Sequence, residues 1–271
     1  GAISTQYIMT TLEELGLLKM DFLGLRTLTV IQDTIDLVKQ NQGIDVKFDE
    51  KMNDPKVYKL WQNGESVGIF QFESQGMTNF MKELKPDCLE DIIAGVSLYR
   101  PGPMDQIPRY IANKKDPEHA VYTHPALKPI LEVTYGCMVY QEQVMQIVRD
   151  LAGYSLGRAD LVRRAMGKKK LDVMAKEREI FIHGQIDENG NIVVPGCIRN
   201  GIDEQSANKI FDEMAEFAKY AFNKSHAAAY AVISFRTAYL KAYYPTEFMA
   251  AMLNSFLGNL DKVPGYIEEW K

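Results

Sequence analysis

The sequence contains little cysteine and no recognisable metal-binding spacing. Its 271 residues include three cysteines, Cys88, Cys137 and Cys197, which are far apart and odd in number. This pattern favours free thiols in a reducing cytoplasm over a disulfide framework. No C-x-x-C or H-x₃-H spacing is present, so a structural zinc site is not expected.

Signals for membranes and secretion are also missing. No window approaches about 18 consecutive apolar residues, the length that a transmembrane helix needs. The N-terminus has no basic stretch followed by an apolar one, so we expect no signal peptide and a cytoplasmic protein without membrane contacts. The chain begins with Gly rather than Met, and we expect it to be a segment of a longer protein.

Charge is present but unevenly distributed. The net charge is −5, which argues against indiscriminate nucleic-acid binding. Residues 1–98 carry 9 Lys/Arg and 15 Asp/Glu, residues 99–181 carry 14 and 10, and residues 182–271 carry 8 and 11. A basic middle between acidic flanks indicates a face built for an anion.

Apolar spacing predicts a mainly helical chain with a few short strands. Strands are predicted at Leu17–Leu23 and Val67–Phe72, and Asn189-Gly190 predicts a hairpin over residues 187–196. The longest helical run is predicted over 222–245, where Pro245 ends it. The chain is long enough for one large domain or two unequal ones.

The densest cationic run is DLVRRAMGKKK, residues 160–170. It places Arg163, Arg164 and Lys168–Lys170 within eight residues. Guanidinium groups bind phosphate oxygens well, because their N–H donors form a planar fork. The competing interpretation, a solvated helix end whose cations complement the helix dipole, has similar weight for this run alone.

The segment FNKSHAAAYA, residues 222–231, is predicted to open the longest helix. We expect Ser225 to cap it, with Lys224 and His226 close to that end. A cation at a helix N-terminus is unfavourable unless an anion joins it, so the segment is a candidate anion site. The simpler alternative, which is favoured for this segment alone, is that Lys224 points into solvent and His226 is a core or surface histidine.

Two further segments hold charged residues in stiff or apolar surroundings. Arg100 lies in a rigid RPGP turn, where a structural role is the favoured interpretation. Asp21 lies in the apolar stretch LLKMDFLGL, two residues from Lys19. Burying a carboxylate is costly, so Asp21 is either paired within the structure or has partners outside this segment.

Six segments together resemble one family. GLLKMDFLGLRTLT, GIFQFESQGM, SLYRPGPM, YGCMVYQEQVMQI, LVRRAMGKKK and FNKSHAAAYA resemble, in order, signature segments of the alpha subunit of bacterial DNA polymerase III. They span roughly residues 4–255. The resemblance is to the alpha-subunit type and not to the related Gram-positive replicase with an inserted exonuclease.

The resemblance implies where the segment lies in a C-family replicative polymerase. Residues 1–43 would form the C-terminal part of the palm, with a strand and a helix, and the palm would have a nucleotidyltransferase fold of the polymerase-beta type. Residues 44–271 would form a helical fingers domain, with the hairpin near residues 184–196.

The resemblance also implies roles for individual residues. Asp21 matches the third metal-binding carboxylate of the palm, and Lys19 matches a lysine expected near the incoming triphosphate. Arg163 and Arg164 match arginines expected to contact its phosphates. A nucleotide or primer–template role is implied with less support for the remaining matched residues, which are Lys168, Asn223, Lys224 and His226.

The implied reaction is template-directed transfer of a deoxynucleotide to a primer 3′-hydroxyl with two Mg²⁺ ions. The implied partners are primer–template DNA, deoxynucleoside triphosphates and other replicase subunits. Asp21 would be the only one of the three palm carboxylates in this segment, so we expect the segment alone to be inactive. Two alternatives stay open: a stand-alone helical module that binds nucleic acid or nucleotides, and a scaffold for protein interactions.

Overall fold

The chain folds as a mainly helical structure. The computed structural model describes residues 3–18, 20, 24–167, 171–257 and 263–269. Its α-helices and strands are α1 (Met9–Glu14), α2 (Arg26–Gln42), α3 (Pro55–Asn63), α4 (Gln75–Leu84), α5 (Leu89–Leu98), α6 (Ile107–Lys115), α7 (Lys128–Leu131), α8 (Gln141–Ala152), α9 (Leu156–Gly167), α10 (Leu171–His183), β1 (Gln185–Ile186), β2 (Ile192–Val194), α11 (Glu204–Phe217), α12 (Lys224–Tyr243), α13 (Pro245–Ser255) and α14 (Val263–Glu269). Short 3₁₀ turns are present at Pro103–Gln106, Pro117–His119, Pro125–Leu127 and Glu132–Thr134.

The first apolar core surrounds α12. This helix buries Ala227, Ala231, Phe235 and Ala238, which recur at helical spacing along one face. Small side chains there allow α12 and α5 to pack closely. Helices α3, α4 and α6 complete this core, with Trp61 among its fully buried side chains.

A second core joins α8, α9, α10 and α11. An apolar face of α8 is buried here, and it contributes Val144, Ile147, Val148 and Leu151. Gly153 ends α8 in the left-handed conformation, which glycine adopts more readily than other residues. A third core forms where α2 packs against α13.

The hairpin prediction is confirmed. Strands β1 and β2 pair antiparallel, and the Asp187 N–H donates to the Asn191 carbonyl at 2.9 Å across the turn. One Asp187 carboxylate oxygen accepts from the Asn189 and Asn191 N–H groups. Gly190 has a φ of 83°, which explains the need for glycine in this turn.

The strand predicted at Val67–Phe72 is wrong, because this segment consists of turns. Side chains bind its backbone groups in place of a neighbouring strand: Glu73 accepts from the Gly68 N–H at 2.8 Å, and Thr237 accepts from the Phe70 N–H at 3.1 Å. Ile69 and Phe72 are still fully buried. The apolar pattern therefore predicts burial correctly and the secondary structure incorrectly.

The strand predicted at Leu17–Leu23 is also not found in its described part. Leu17, Leu18 and Met20 belong to no strand and are exposed, Leu18 by 83%. A strand needs a partner for its backbone hydrogen bonds, and β1 and β2, the strands of the described residues, pair with each other. Lys19 and residues 21–23 lie outside the described residues. The division into a palm piece and a fingers domain after residue 43 stays a prediction.

Candidate functional site

Five of the eight predicted site residues lie in the part of the chain that the structure describes, and three do not. Lys19, Asp21 and Lys168 lie outside the described residues. The five described residues lie on α9 and at the start of α12. We call them the α9–α12 surface: Arg163, Arg164, Asn223, Lys224 and His226.

On α9, both arginines bind one carboxylate. Arg163 donates to one oxygen of Asp160 from Nε at 3.1 Å and from Nη2 at 2.7 Å. Arg164 Nη2 lies 2.8 Å from the other oxygen of Asp160. The hydrogen bond from Arg163 lowers the pKa of Asp160 below its ordinary value despite partial burial. The two guanidinium groups are therefore held side by side on the outer face of α9.

The end of α9 meets the segment that leads into α12. A Cβ on Gly167 would lie 3.3 Å from the Ala218 carbonyl oxygen, so the two backbones approach closely there. Residues 218–222 then connect α11 to α12. The arginine-bearing helix and the start of α12 thus adjoin the same short connection.

Arg100 stabilises this connection. Its Nη2 donates to the Tyr220 carbonyl at 2.9 Å, and its guanidinium lies 4.1 Å from the centre of the Phe222 ring. Burial lowers the pKa of Arg100. Gly102 has a φ of 102°, and a Cβ there would collide with the Tyr220 ring. The RPGP turn therefore has the structural role that the sequence favoured.

The cap of α12 is Asn223 and not Ser225 as predicted. The Asn223 side-chain oxygen accepts from the His226 N–H at 2.8 Å, and Asn223 has extended backbone angles typical of a cap. Ser225 lies one residue inside the helix. Ser and Asn have similar preference for the position, so the sequence could not settle the choice between them.

An anion does join this helix end, and it comes from the chain itself. The Glu142 carboxylate accepts from the Lys224 N–H, at 3.0 and 3.2 Å to its two oxygens, and from Asn223 Nδ2 at 3.1 Å. Lys224 Nζ lies 3.0 Å from a carboxylate oxygen of Glu90. Lys224 therefore does not simply point into solvent. Sequence reasoning missed Glu142 and Glu90, because they lie 82 and 134 residues away and leave no local signal.

His226 is exposed and belongs to a row of aromatic rings. Its ring lies 5.6 Å from the ring of Phe222, four residues earlier and just before the helix, and 4.2 Å from the ring of Tyr230, four residues later on α12. Phe70 continues the row, 5.2 Å from Tyr230. Aromatic faces of this kind can stack with nucleic-acid bases.

The cluster of possible metal ligands found among the described residues does not suit magnesium. One group in the described part has three possible ligands close together, Asp87, Cys88 and Asp91. Lys114 Nζ already lies 2.9 Å from Asp87 and 2.6 Å from Asp91. Burial and the charge of Asp91 raise the pKa of the Cys88 thiol to about 11, so it is protonated at neutral pH. An ammonium group therefore already provides the positive charge that these carboxylates need.

A cleft next to the connection has the wrong charge for a phosphate. It has a volume of about 490 Å³ and borders Gly102 and Tyr220. Its charged lining residues are Asp105, Arg109, Asp212, Glu213 and Glu216. Four carboxylates against one guanidinium would repel a triphosphate. The α9–α12 surface is the better candidate.

Comparison with known proteins identifies the family. The family model described as "Bacterial DNA polymerase III alpha subunit finger domain" matches residues 27–189. The chain is 51% identical to the DNA polymerase III subunit alpha of Thermus aquaticus, and the match covers 99% of this chain and 22% of that protein. It is 48% identical to the DNA polymerase III subunit alpha of Borreliella burgdorferi, and the match covers all of this chain and 23% of that protein. For Rickettsia felis, the identity is 52% over 98% of this chain and 21% of the relative. The chain thus spans about a fifth of these relatives, and it belongs to the family of bacterial DNA polymerase III alpha subunits, with the finger domain as its matched part.

Proposed function

We propose that this chain is the fingers domain, with the end of the palm, of a replicative DNA-directed DNA polymerase. The reaction is template-directed transfer of deoxynucleotides to a primer 3′-hydroxyl. The observation that carries the proposal is the pair Arg163 and Arg164 on a family-matched helix whose end lies against Ala218, in the connection that leads into α12. The partners would be primer–template DNA, deoxynucleoside triphosphates and other replicase subunits, in the bacterial cytoplasm.

Arg163 and Arg164 would contact the phosphates of the incoming nucleotide. A guanidinium group has five N–H donors, and Asp160 engages only part of this set in each arginine. A phosphate oxygen can bind the remaining donors or replace Asp160. Positive charge held at this place would stabilise the negative charge that develops on the phosphates during transfer.

The other matched residues would act around the same nucleotide or on the primer–template. Lys19 would lie near the triphosphate. Asn223 and His226 would present polar and aromatic groups at the start of α12, with Lys168 and Lys224 as nearby cations. Lys224 already binds Glu90, so its direct role would require an exchange of partners.

Asp21 would be a catalytic metal ligand, one of three carboxylates that hold two Mg²⁺ ions. The carboxylate cluster of the described residues is bound by Lys114, so the other ligands would come from the part of the polymerase outside this chain. When bound, the metal ions would activate the 3′-hydroxyl and stabilise the leaving phosphate. The isolated 271-residue chain is accordingly expected to be inactive.

Primer extension tests the proposal. The full-length chain that contains this segment and the 271-residue chain are each incubated with primer–template, Mg²⁺ and the four deoxynucleotides. We expect extension only by the full-length chain. Absence of extension by the full-length chain, together with salt-dependent DNA binding, would favour a non-catalytic binding module. Extension by the 271-residue chain would show that the missing carboxylates are not required.

A further inference from the structure

We infer that Glu142 is a positioning residue of the nucleotide site, which fixes the start of α12 relative to the arginines of α9. The inference rests on the proposed function, because it takes the α9–α12 surface as the nucleotide site. Glu142 is not among the residues that the sequence assigns to that site. It acts through Asn223 and Lys224 and is not expected to touch the nucleotide.

Apart from a hydrogen bond of 3.5 Å from Nε2 of the neighbouring Gln141, the hydrogen bonds of Glu142 converge on the first residues of α12. Its two carboxylate oxygens accept the Lys224 N–H, and one of them also accepts Asn223 Nδ2. The first N–H groups of a helix have no partner inside the helix, so Glu142 satisfies a donor that would otherwise need water or a ligand. The side chain of Asn223 is held by Glu142 through its Nδ2 while its oxygen caps the helix.

Helix dipoles reinforce these contacts. Glu142 lies in the first turn of α8 and binds the first residue of α12, so its negative charge is close to two helix N-termini. Carboxylates at such positions are stabilising. The backbones are joined there as well, since the Gln141 N–H donates to the Phe222 carbonyl at 2.9 Å. The start of α8 is thus attached to the start of α12.

The opposite face of α8 is attached to α9. Val144, Ile147 and Val148 of α8 are buried in the same core as Val162 and Met166 of α9. These α9 residues flank the two arginines in sequence. A single helix therefore carries α9 on its apolar face and the start of α12 on its first turn. Glu142 is the charged connection between the two groups of candidate nucleotide ligands.

The test is Glu142→Gln in the full-length chain that contains this segment. Glutamine has the same size and keeps one acceptor, but it loses the charge and the second acceptor. We expect the KM for deoxynucleotides to rise about three- to tenfold, with kcat and the Kd for primer–template nearly unchanged, because the cap and charge at a helix N-terminus are modest contributions. Glu188→Gln, an exposed position in the hairpin turn, is the matched control and should leave all three values unchanged.

A double-variant cycle separates positioning from a general effect on folding. If Glu142 acts through Asn223, the effects of Glu142→Gln and Asn223→Ala on KM will be less than additive. An unchanged KM in the Glu142→Gln variant, with or without a lower melting temperature, would overturn the inference and leave the proposed function intact. Inactivity of the wild-type full-length chain would overturn both.

Discussion

Arg163 binds Asp160 through two of its donors, Nε at 3.1 Å and Nη2 at 2.7 Å to the same carboxylate oxygen. This contact orients the guanidinium plane before any ligand arrives. A preoriented arginine loses less conformational freedom when it binds a phosphate than a free side chain does. The free chain therefore already holds a candidate phosphate ligand in place.

The first prediction concerns that arginine. In the full-length chain, Arg163→Ala is expected to raise the KM for deoxynucleotides about tenfold or more, since a hydrogen bond to a charged group is worth roughly 1.5–3 kcal/mol. Steady-state primer extension at varied nucleotide concentration measures it. Arg149→Ala is the control, because Arg149 also pairs with a neighbouring aspartate, Asp150, but on a different helix. An unchanged nucleotide dependence for Arg163→Ala would contradict the phosphate role.

The second prediction concerns a buried ion pair. Lys114 Nζ lies 2.6 Å from Asp91, whose side chain is fully buried and also accepts from the Tyr135 hydroxyl at 3.2 Å. Lys114→Met would leave a buried charge without its partner, and we expect a loss of about 3–5 kcal/mol in the free energy of unfolding.

Urea denaturation followed by circular dichroism measures this loss. Lys39→Met is the matched control: Lys39 lies 2.7 Å from Asp45, but both side chains are more than half exposed. Pairs of that kind contribute about 0–1 kcal/mol. Equal losses of unfolding free energy in the two variants would show that the burial of Asp91 does not determine the effect of removing Lys114.

The third prediction is the pH range over which the Lys114 cluster stabilises the fold. Burial alone would raise the pKa of Asp87, but the hydrogen bond and charge of Lys114 outweigh it, and the pKa lies below its ordinary value of 3.8. Burial would lower the pKa of Lys114, but Asp91 and Asp87 raise it well above 10.5. Stabilisation linked to Asp87 is therefore present above pH 3.8 and is lost as the pH falls through its folded pKa. Stabilisation linked to Lys114 is present below pH 10.5 and is lost as the pH rises through its folded pKa.

The difference in unfolding free energy between wild type and Asp87→Asn, which keeps the Lys114–Asp91 pair, should therefore be constant from about pH 5 to 9. Denaturation curves at three values in this interval would check the expectation. A difference that changed steadily across the interval would mean that the titration of another group changes the stabilisation by this ion pair.

The fourth prediction tests the cap of α12. Asn223→Ala is expected to cost about 1 kcal/mol of stability, because the His226 N–H loses its partner. Ser225→Ala should cost at most a few tenths of that, since Ser225 lies inside the helix. Urea denaturation of both variants gives the comparison. A larger loss for Ser225→Ala would support the cap that the sequence predicts.

Local patterns in the sequence predict much of the fold. The Ser74 hydroxyl caps α4 by accepting from the Met77 N–H, three residues later, at 3.3 Å, and Asn189-Gly190 forms the expected turn. These features depend on neighbouring residues only. The turns at Val67–Phe72 could not be predicted in this way, because Thr237, which satisfies the Phe70 N–H, is 167 residues away.

The same difference between local and distant contacts applies to the candidate site. The resemblance of short segments to the family predicts Arg163, Arg164, Asn223, Lys224 and His226 as site residues. The carboxylates that bind some of these residues differ in how far the sequence could predict them. Asp160 lies three residues before Arg163 on the same helix, so its pairing has a local signal. Glu142 and Glu90 reach Lys224 from distant parts of the chain, and only the fold brings them there.

The most direct test of the central claim is Asp21→Asn in the full-length chain. Asparagine has the same size but lacks the negative charge of a metal ligand. With Asp45→Asn as an exposed control, we predict that Asp21→Asn abolishes primer extension and leaves the Kd for primer–template largely unchanged. Extension at the wild-type rate by the Asp21→Asn variant would contradict the assignment of Asp21 as a catalytic metal ligand.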